Sequence, residues 1–186
     1  MVLLYRNAFK SIDELSQTEL RLAGLRIDPK TNIGSRVNYY NNIEIKNIKV
    51  KNSTSIQVKG LPENPRFSNF TWSPDQKKIA LTNTTSNGVE VWVLDLQSKT
   101  LTQLTEALVN ANLRDAINWF EDSKSLLVKM VLKDKKELIN TKTAIPSGPT
   151  ISVNKGKKAQ NRTYQDLLKN KNDETLQKCN NLKFQI

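Results

Sequence analysis

The chain has 186 residues, 37% of them hydrophobic, a formal net charge of +11, no histidine and one cysteine. Without histidine there is no imidazole base for a serine or cysteine nucleophile. Cys179 alone excludes an internal disulfide and a cysteine-built metal site. No run approaches the ~20 apolar residues of a membrane span.

Met1-Val2-Leu3-Leu4-Tyr5-Arg6 is too short, and too soon interrupted by charge, for a signal peptide. Ser11 and Glu14 stand three apart, as in a capping box, so residues 1–18 form an N-terminal segment with a short helical turn. On this reading Asp13-Glu14 starts a helix and is not a metal pair. The blades of an all-β fold are expected over 19–132. Leu20 to Ile27 is ambiguous between helix and strand, and strand is favoured before the Asp28-Pro29 turn. Asn42 to Lys46 and Ser55 to Lys59 alternate polar and apolar residues, as half-buried strands do. Phe67, Phe70 and Trp72 lead into the best-specified unit.

That unit predicts strands over Lys78–Asn83, Val89–Leu96 and Thr100–Thr105. Asn87-Gly88 between the first two reads as a type I′ hairpin turn, since both residues tolerate positive φ. Ser73-Pro74-Asp75-Gln76 reads as a tight turn, with proline presetting φ and aspartate bonding nearby backbone. The pattern returns at an offset of 47 residues: Trp72 matches Trp119, Asp75 matches Asp122, Lys77 matches Lys124 and Ile79 matches Leu126. A self-match at this period signals stacked blades of the propeller kind, about 40–50 residues each. Trp72, Pro74, Asp75, Asn87, Gly88, Trp119 and Asp122 are thus assigned structural roles in blade turns. Equivalent placement of Asp75 and Asp122 favours turns over acid–base catalysis. Regular placement in strands favours core packing for Trp72, Trp92 and Trp119 over a ligand-stacking surface.

The second unit continues through Ser125–Leu132. Residues 133–174 are expected to hold a long polar loop and a further partial blade around Arg162–Leu168. Residues 175–186 are read as an irregular tail. The expected fold is therefore a partial, open β-propeller, with two clear blades and one or more incomplete ones. Propellers usually need about 4–8 blades to close, so self-association through open edges is expected. The lysines are scattered, as at Lys46, Lys49, Lys51 and Lys59, which favours a solvated surface over a nucleic-acid module, the least favoured reading. Neither Gly34 nor Gly156 has phosphate-loop spacing.

Four segments in order resemble the early propeller of glutamyl-endopeptidase-like members of the prolyl oligopeptidase family. They are Glu19–Pro29, Trp72-Ser73-Pro74-Asp75, Trp119 with Asp122–Val128, and Arg162–Leu168. The resemblance runs from about Ser11 to Glu174. The Trp-Ser-Pro-Asp turn alone is shared by many propellers, including that of the periplasmic TolB protein. The resemblance implies an N-terminal propeller set over an α/β-hydrolase domain in a serine peptidase, where it filters peptide substrates. The family's Gly-x-Ser-x-Gly elbow and its histidine do not occur here. No catalytic, cofactor or metal residue can be carried over, and this chain is expected to be no enzyme by itself. Beyond Glu174 the family pattern gives way to Leu176–Asn181, which reads as truncation or a change of frame. A TolB-like scaffold for protein–protein interaction is the alternative reading.

Overall fold

Alternation along extended segments decides which face of each strand is buried, and here it stacks sheet on sheet. The computed structural model describes residues 1–17, 19–22, 24–112, 115–131, 156 and 182–185. The strands are β1 (Val2–Tyr5), β2 (Leu20–Leu22), β3 (Leu25–Asp28), β4 (Ile33–Gly34), β5 (Asn42–Lys46), β6 (Ser55–Gln57), β7 (Phe67–Trp72), β8 (Lys78–Thr84), β9 (Val89–Asp95), β10 (Thr100–Gln103), β11 (Ile117–Trp119), β12 (Leu126–Val131) and β13 (Leu182–Gln185). The helix is α1 (Ile12–Ser16). The fold is all-β, with four antiparallel sheets in the orders β1-β5-β6, β2-β3-β4, β10-β9-β8-β7 and β11-β12-β13. None closes into a barrel, and the arrangement is consistent with an open, partial propeller.

The four-stranded sheet β10-β9-β8-β7 is covered on both faces. Ile79, Leu81, Trp92 and Leu94 turn toward Ile43 and the flanking Val2, Leu4 and Ile45 of the β1-β5-β6 sheet. Ala80, Val89 and Val91 turn the other way, toward Ile117, Leu126 and Val128. This two-sided burial explains why β8 is buried at six successive positions, Ile79 to Thr84. Burial on both faces produces the near-continuous pattern that a one-sided strand lacks. The polar members are largely satisfied. Thr82 donates to the Ser68 carbonyl at 3.1 Å and accepts from Asn69 at 3.0 Å. Asn83 accepts from the Arg66 amide at 3.0 Å and donates to Glu90 at 3.2 Å.

The outer face of the β1-β5-β6 sheet is more polar. Tyr5 donates to Glu44 at 2.8 Å, and Asn42 and Gln57 bond each other across β5 and β6. The β2-β3-β4 sheet joins the second core through Ile33, which bridges to Ala111.

The 47-residue match becomes two superimposable turns. Ser73 N donates to Lys78 O and Gln76 N to Ser73 O; Phe120 N donates to Ser125 O and Ser123 N to Phe120 O. Gln76 and Ser123 both sit at positive φ, 58° and 56°. The pairs Trp72–Ile79 and Trp119–Leu126 then occupy the same register position.

Three elements depart from the sequence expectations. The turn between β8 and β9 is not type I′. Thr85 N donates to Gly88 O, so the pair Thr85–Gly88 closes over Ser86 and Asn87, and neither central residue has positive φ. Gly88 instead sits at φ +151° with Ala107 O where a Cβ would come within 2.2 Å. The glycine serves the approach of the 105–109 segment, which also bonds Val89 O through Val109 N. Trp72 is not a core residue. It is 50% exposed at the end of β7 and joins neither core, whereas Trp92 is 9% exposed. Part of the tail is a strand: β13 pairs antiparallel with Val128–Val131. β12 thus lies between β11 and β13, its amides and carbonyls paired on both sides.

The N-terminal segment also holds more than its helical turn, since β1 pairs with β5 some 40 residues on, Val2 with Ile45 and Leu4 with Ile43. Arg162–Leu168, Cys179 and nearly all of the 133–174 segment lie outside the described residues.

Candidate functional site

The connections around the first sheet build a polar pocket. Ser11 caps α1 in the sense its spacing implies: Glu14 N donates to Ser11 Oγ at 3.2 Å, and Ser11 N to the Glu14 carboxylate at 3.0 Å. That reciprocal pair satisfies two helix-end amides and holds Lys10 and Glu14 on the pocket wall. The β4–β5 connection contributes Ser35, Arg36 and Tyr39, and the residue before β7 contributes Arg66. On one side lies a cavity of about 140 Å³, lined by Arg6, Phe9, Lys10, Tyr39 and Arg66 among others. A smaller one of about 30 Å³ adjoins it through Lys10, Glu14, Tyr39 and Arg66.

Glu19 is the hub of the inner wall. Its carboxylate pairs with Arg26 at 2.8 Å, Arg36 at 3.3 Å and Arg21 at 3.5 Å, and accepts from Ser35 Oγ at 2.8 Å. The Ser35 hydroxyl, then Arg36 and Arg26, hold its pKa below the ordinary carboxylate range. One carboxylate faces three guanidinium groups, and on the lining of the smaller cavity Lys10, Arg36 and Arg66 are matched in number by Glu14, Glu19 and Asp28.

Arg66 and Lys10 make no ion pair among the described residues. The Arg66 guanidinium lies over the Tyr39 ring, 4.2 Å from its centroid, a cation–π geometry. Its backbone is fixed by the blade: Arg66 N donates to buried Asn83, and Arg66 O accepts from Thr84 N. Burial lowers the Lys10 pKa, with Arg36 and Arg66 adding to the effect and Glu14 opposing it. Burial also raises the Tyr39 pKa, against the pull of Arg66.

None of the seven residues assigned from the sequence lines this pocket. Asp75 accepts from Ser73 Oγ at 2.7 Å and Lys77 N at 3.1 Å. Asp122 accepts from Lys124 N and Ser125 N, both at 2.9 Å, and from Ser125 Oγ at 2.7 Å. Pro74 stands between Ser73 and Asp75 in the first turn. The turns also touch each other, Asp75 N donating to Ser123 Oγ at 3.1 Å, while Trp119 Nε1 donates to Thr71 O at 3.0 Å. Asn87 and Gly88 lie in the β8–β9 turn. Sequence reasoning missed Lys10, Tyr39 and Arg66. The only local signal is their position beside recognisable boundaries: Lys10 before the Ser11 cap and Arg66 before the Phe67 strand.

A further hollow of about 290 Å³ lies between β7 and β11, lined by Asn69, Phe70, Thr71, Asp115, Ala116, Ile117 and Asn118. None of these described lining residues is cationic. Among the described residues, no cluster of three or more Cys, Asp or Glu could hold a metal ion.

Stacked antiparallel sheets with a polar pocket at their N-terminal connections define an all-β module. No protein-family model matches the chain. It is 30% identical over 188 residues to a probable chloroplastic glutamyl endopeptidase of Oryza sativa subsp. japonica, and 30% identical over 187 residues to that of Arabidopsis thaliana. Each match covers 95% of this chain but only 20% and 19% of those proteins, so the chain spans about a fifth of their length. Among solved structures, an acylaminoacyl peptidase of Pyrococcus horikoshii is 26% identical and covers 52% of this chain and 14% of its own, with a TM-score of 0.34, a likeness too slight to bear on the fold. The resemblance read in the sequence stands: the chain is a relative of glutamyl-endopeptidase-like proteins and corresponds to one portion of them.

Proposed function

We propose that this chain is a non-catalytic, substrate-gating propeller portion of a prolyl-oligopeptidase-type serine peptidase. The observation that carries this reading is similarity along 95% of the chain to proteins named glutamyl endopeptidase. The absence of histidine and of any Gly-x-Ser-x-Gly segment from the sequence supports its non-catalytic half. The stacking of one sheet between two others supports a blade-like role.

A fluorophosphonate probe tests the reading. It should leave the purified chain unlabelled while labelling a full-length relative assayed beside it. Stoichiometric labelling of this chain would sink the proposal. The companion expectation is association through sheet edges, since none of the four sheets closes on itself. Sedimentation should show mass rising with concentration, and a monomer with a sharp, concentration-independent melt would refute it.

A further inference from the structure

We propose that the hollow between β7 and β11 binds the guanidinium group of an arginine side chain carried on a peptide. The inference rests on the hollow's own lining and is independent of the gating reading.

Three observations converge on this ligand. The first is a one-sided supply of acceptors. Asn69 Nδ2 donates to the buried Thr82 Oγ1 at 3.0 Å and to Ser68 Oγ at 3.5 Å, and Asn118 Nδ2 donates to Asp115 O at 3.3 Å. Both amides turn their donors to the protein, and among the described residues no donor reaches either Oδ1 atom or the Asp115 carboxylate. The second is charge. Asp115 is the one ionised side chain of the described lining, and no cation accompanies it. The net charge of +11 opposes a cationic ligand, but charges farther than about 8 Å are largely screened at physiological ionic strength, so the lining decides. The third is backbone placement. Successive side chains of a regular strand point to opposite faces, yet Asn69, Phe70 and Thr71 all line this hollow. The register shift between Ser68 and Thr71 breaks the alternation there, with Asn69 at φ 50°, and Asp115 faces it at φ 58°.

A guanidinium answers all three. Its five N–H donors lie in one plane, so two can meet the carboxylate while others reach the amide oxygens. Its face can lie on Phe70, a ring held edge-on by Tyr40 at 5.5 Å between centroids. A lysine ammonium brings three donors and a tighter hydration shell. A hard metal ion such as calcium takes about 6–8 oxygens, whereas this hollow of about 290 Å³ holds a single carboxylate among its described residues. A sugar needs donors as well as acceptors, and the asparagine donors are engaged. Free arginine carries an α-carboxylate that meets no cation in the described lining; in a peptide that group is an amide. Trp72, which follows Thr71 and is 50% exposed, gives the peptide's neighbouring residues an apolar surface.

The test is fluorescence anisotropy on the full 186-residue chain at physiological ionic strength. The probes are a fluorescein-labelled glycine–serine pentapeptide with a central arginine, its citrulline and lysine counterparts, and unlabelled free arginine as competitor. The arginine peptide should bind, and the citrulline peptide should bind at least about tenfold more weakly, the scale of one charge-assisted hydrogen bond. The lysine peptide should fall between them. Asp115→Asn should weaken arginine-peptide binding by about tenfold or more, and asparagine tolerates the left-handed backbone at that position. Asp13→Asn removes a carboxylate from the exposed first turn of α1 and changes the net charge equally, and it should leave binding unchanged. Circular dichroism of each variant checks that the sheets are intact.

Equal weakening by Asp13→Asn would mean a diffuse effect of net charge and would overturn the site. So would equal binding of the citrulline peptide, or lysine-peptide binding as tight as that of arginine. Displacement by free arginine at the peptide's own concentration would assign the hollow to the amino acid and overturn the peptide as its source. None of these outcomes bears on labelling by the fluorophosphonate probe, so the gating reading stands or falls separately.

Discussion

Leu81→Ala tests whether the β10-β9-β8-β7 sheet is held between two others. Leu81 is fully buried, pairs with Trp92 across β8 and β9, and packs in the core shared with Ile43 and Phe67. The substitution removes three side-chain carbons, about 2.4 kcal/mol at about 0.8 kcal/mol each. The cavity left behind adds to this, by an amount that depends on how far the site can collapse. Collapse is restricted here because β8 cannot move toward the vacancy without leaving Ala80 and its neighbours in the opposite core. The expected loss is therefore about 3–4 kcal/mol, near the middle of the range for such changes. Urea denaturation followed by tryptophan fluorescence measures it, with the slope of free energy against denaturant as the check on two-state behaviour. Ile56→Ala, at a position 47% exposed, serves as the control and should fall within about 0.5 kcal/mol of the parent. A loss below about 1.5 kcal/mol at Leu81 with an unchanged slope would refute the two-sided packing, since it would mean a face open to solvent or free to relax.

Gly88→Ala should destabilise by at least about 2 kcal/mol in the same assay, since strained backbone alone costs about 1–3 kcal/mol and the new Cβ would meet Ala107 O at 2.2 Å. Gly24→Ala, at φ +81° with nothing within 4 Å of its Cβ position, should cost only the left-handed conformation, about 1 kcal/mol; equal losses at both glycines would contradict the close approach. Acid should unfold the chain partly through its turns. Backbone amides of Lys124 and Ser125 hold the Asp122 pKa below its ordinary value, and the Ser73 hydroxyl and Lys77 amide do so for Asp75. A depressed folded-state pKa means stability present above the unfolded value and lost as pH falls through the folded one. The melting temperature should thus decline below about pH 4, and Asp122→Ala should flatten that decline; an identical acid slope in parent and variant would exclude the turn carboxylate as its source. Trp72→Phe should remove the most acrylamide-quenchable, red-shifted part of the emission, because Trp72 is half exposed and Trp92 is buried; an unchanged quenching curve would place Trp72 inside.

Regular, local pattern was legible in the chain before any coordinates. β5 falls on the alternating stretch Asn42–Lys46, and the 47-residue match emerges as paired turns with the same hydrogen bonds and the same positive φ at Gln76 and Ser123. Ser11 and Glu14 form their cap because both partners lie within one helical turn. Interactions set by distant partners were not legible. β1 is a strand because Asn42–Lys46 is beside it, and four residues at a chain start carry no sign of that pairing. Gly88 looked like a hairpin glycine because the reason for it, Ala107 O, lies some 20 residues away. Trp72 and Trp119 are equivalent in sequence yet unequal in exposure, since only Trp119 has the adjacent unit to lean on, through Thr71 O. The pocket is the extreme case: Lys10, Tyr39 and Arg66 share no period, and only the folded connections bring them together.

The placement of that pocket ties its geometry to the stability of the stack. Arg66 is the last residue before β7, and its position depends on Asn83, a buried amide in the middle of the two-sided sheet. Asn83 in turn donates to Glu90, which accepts from Trp92 Nε1 at 2.8 Å, so one polar chain runs from the pocket into the core. Removing a member of a buried network leaves its neighbour unsatisfied, at about 1–3 kcal/mol. Asn83→Ala should therefore weaken the fold, because Arg66 N would lose its acceptor and Glu90 a donor. Arg66→Gln should largely spare the fold, since it keeps the backbone hydrogen bonds and removes only the stacking on Tyr39. The contrast between these two variants, measured by urea denaturation, separates a backbone anchored by the blade from a side chain that merely sits at its edge. If Asn83→Ala cost no more stability than Arg66→Gln, the buried chain of hydrogen bonds from Arg66 N through Asn83 to Glu90 would carry no weight in the fold.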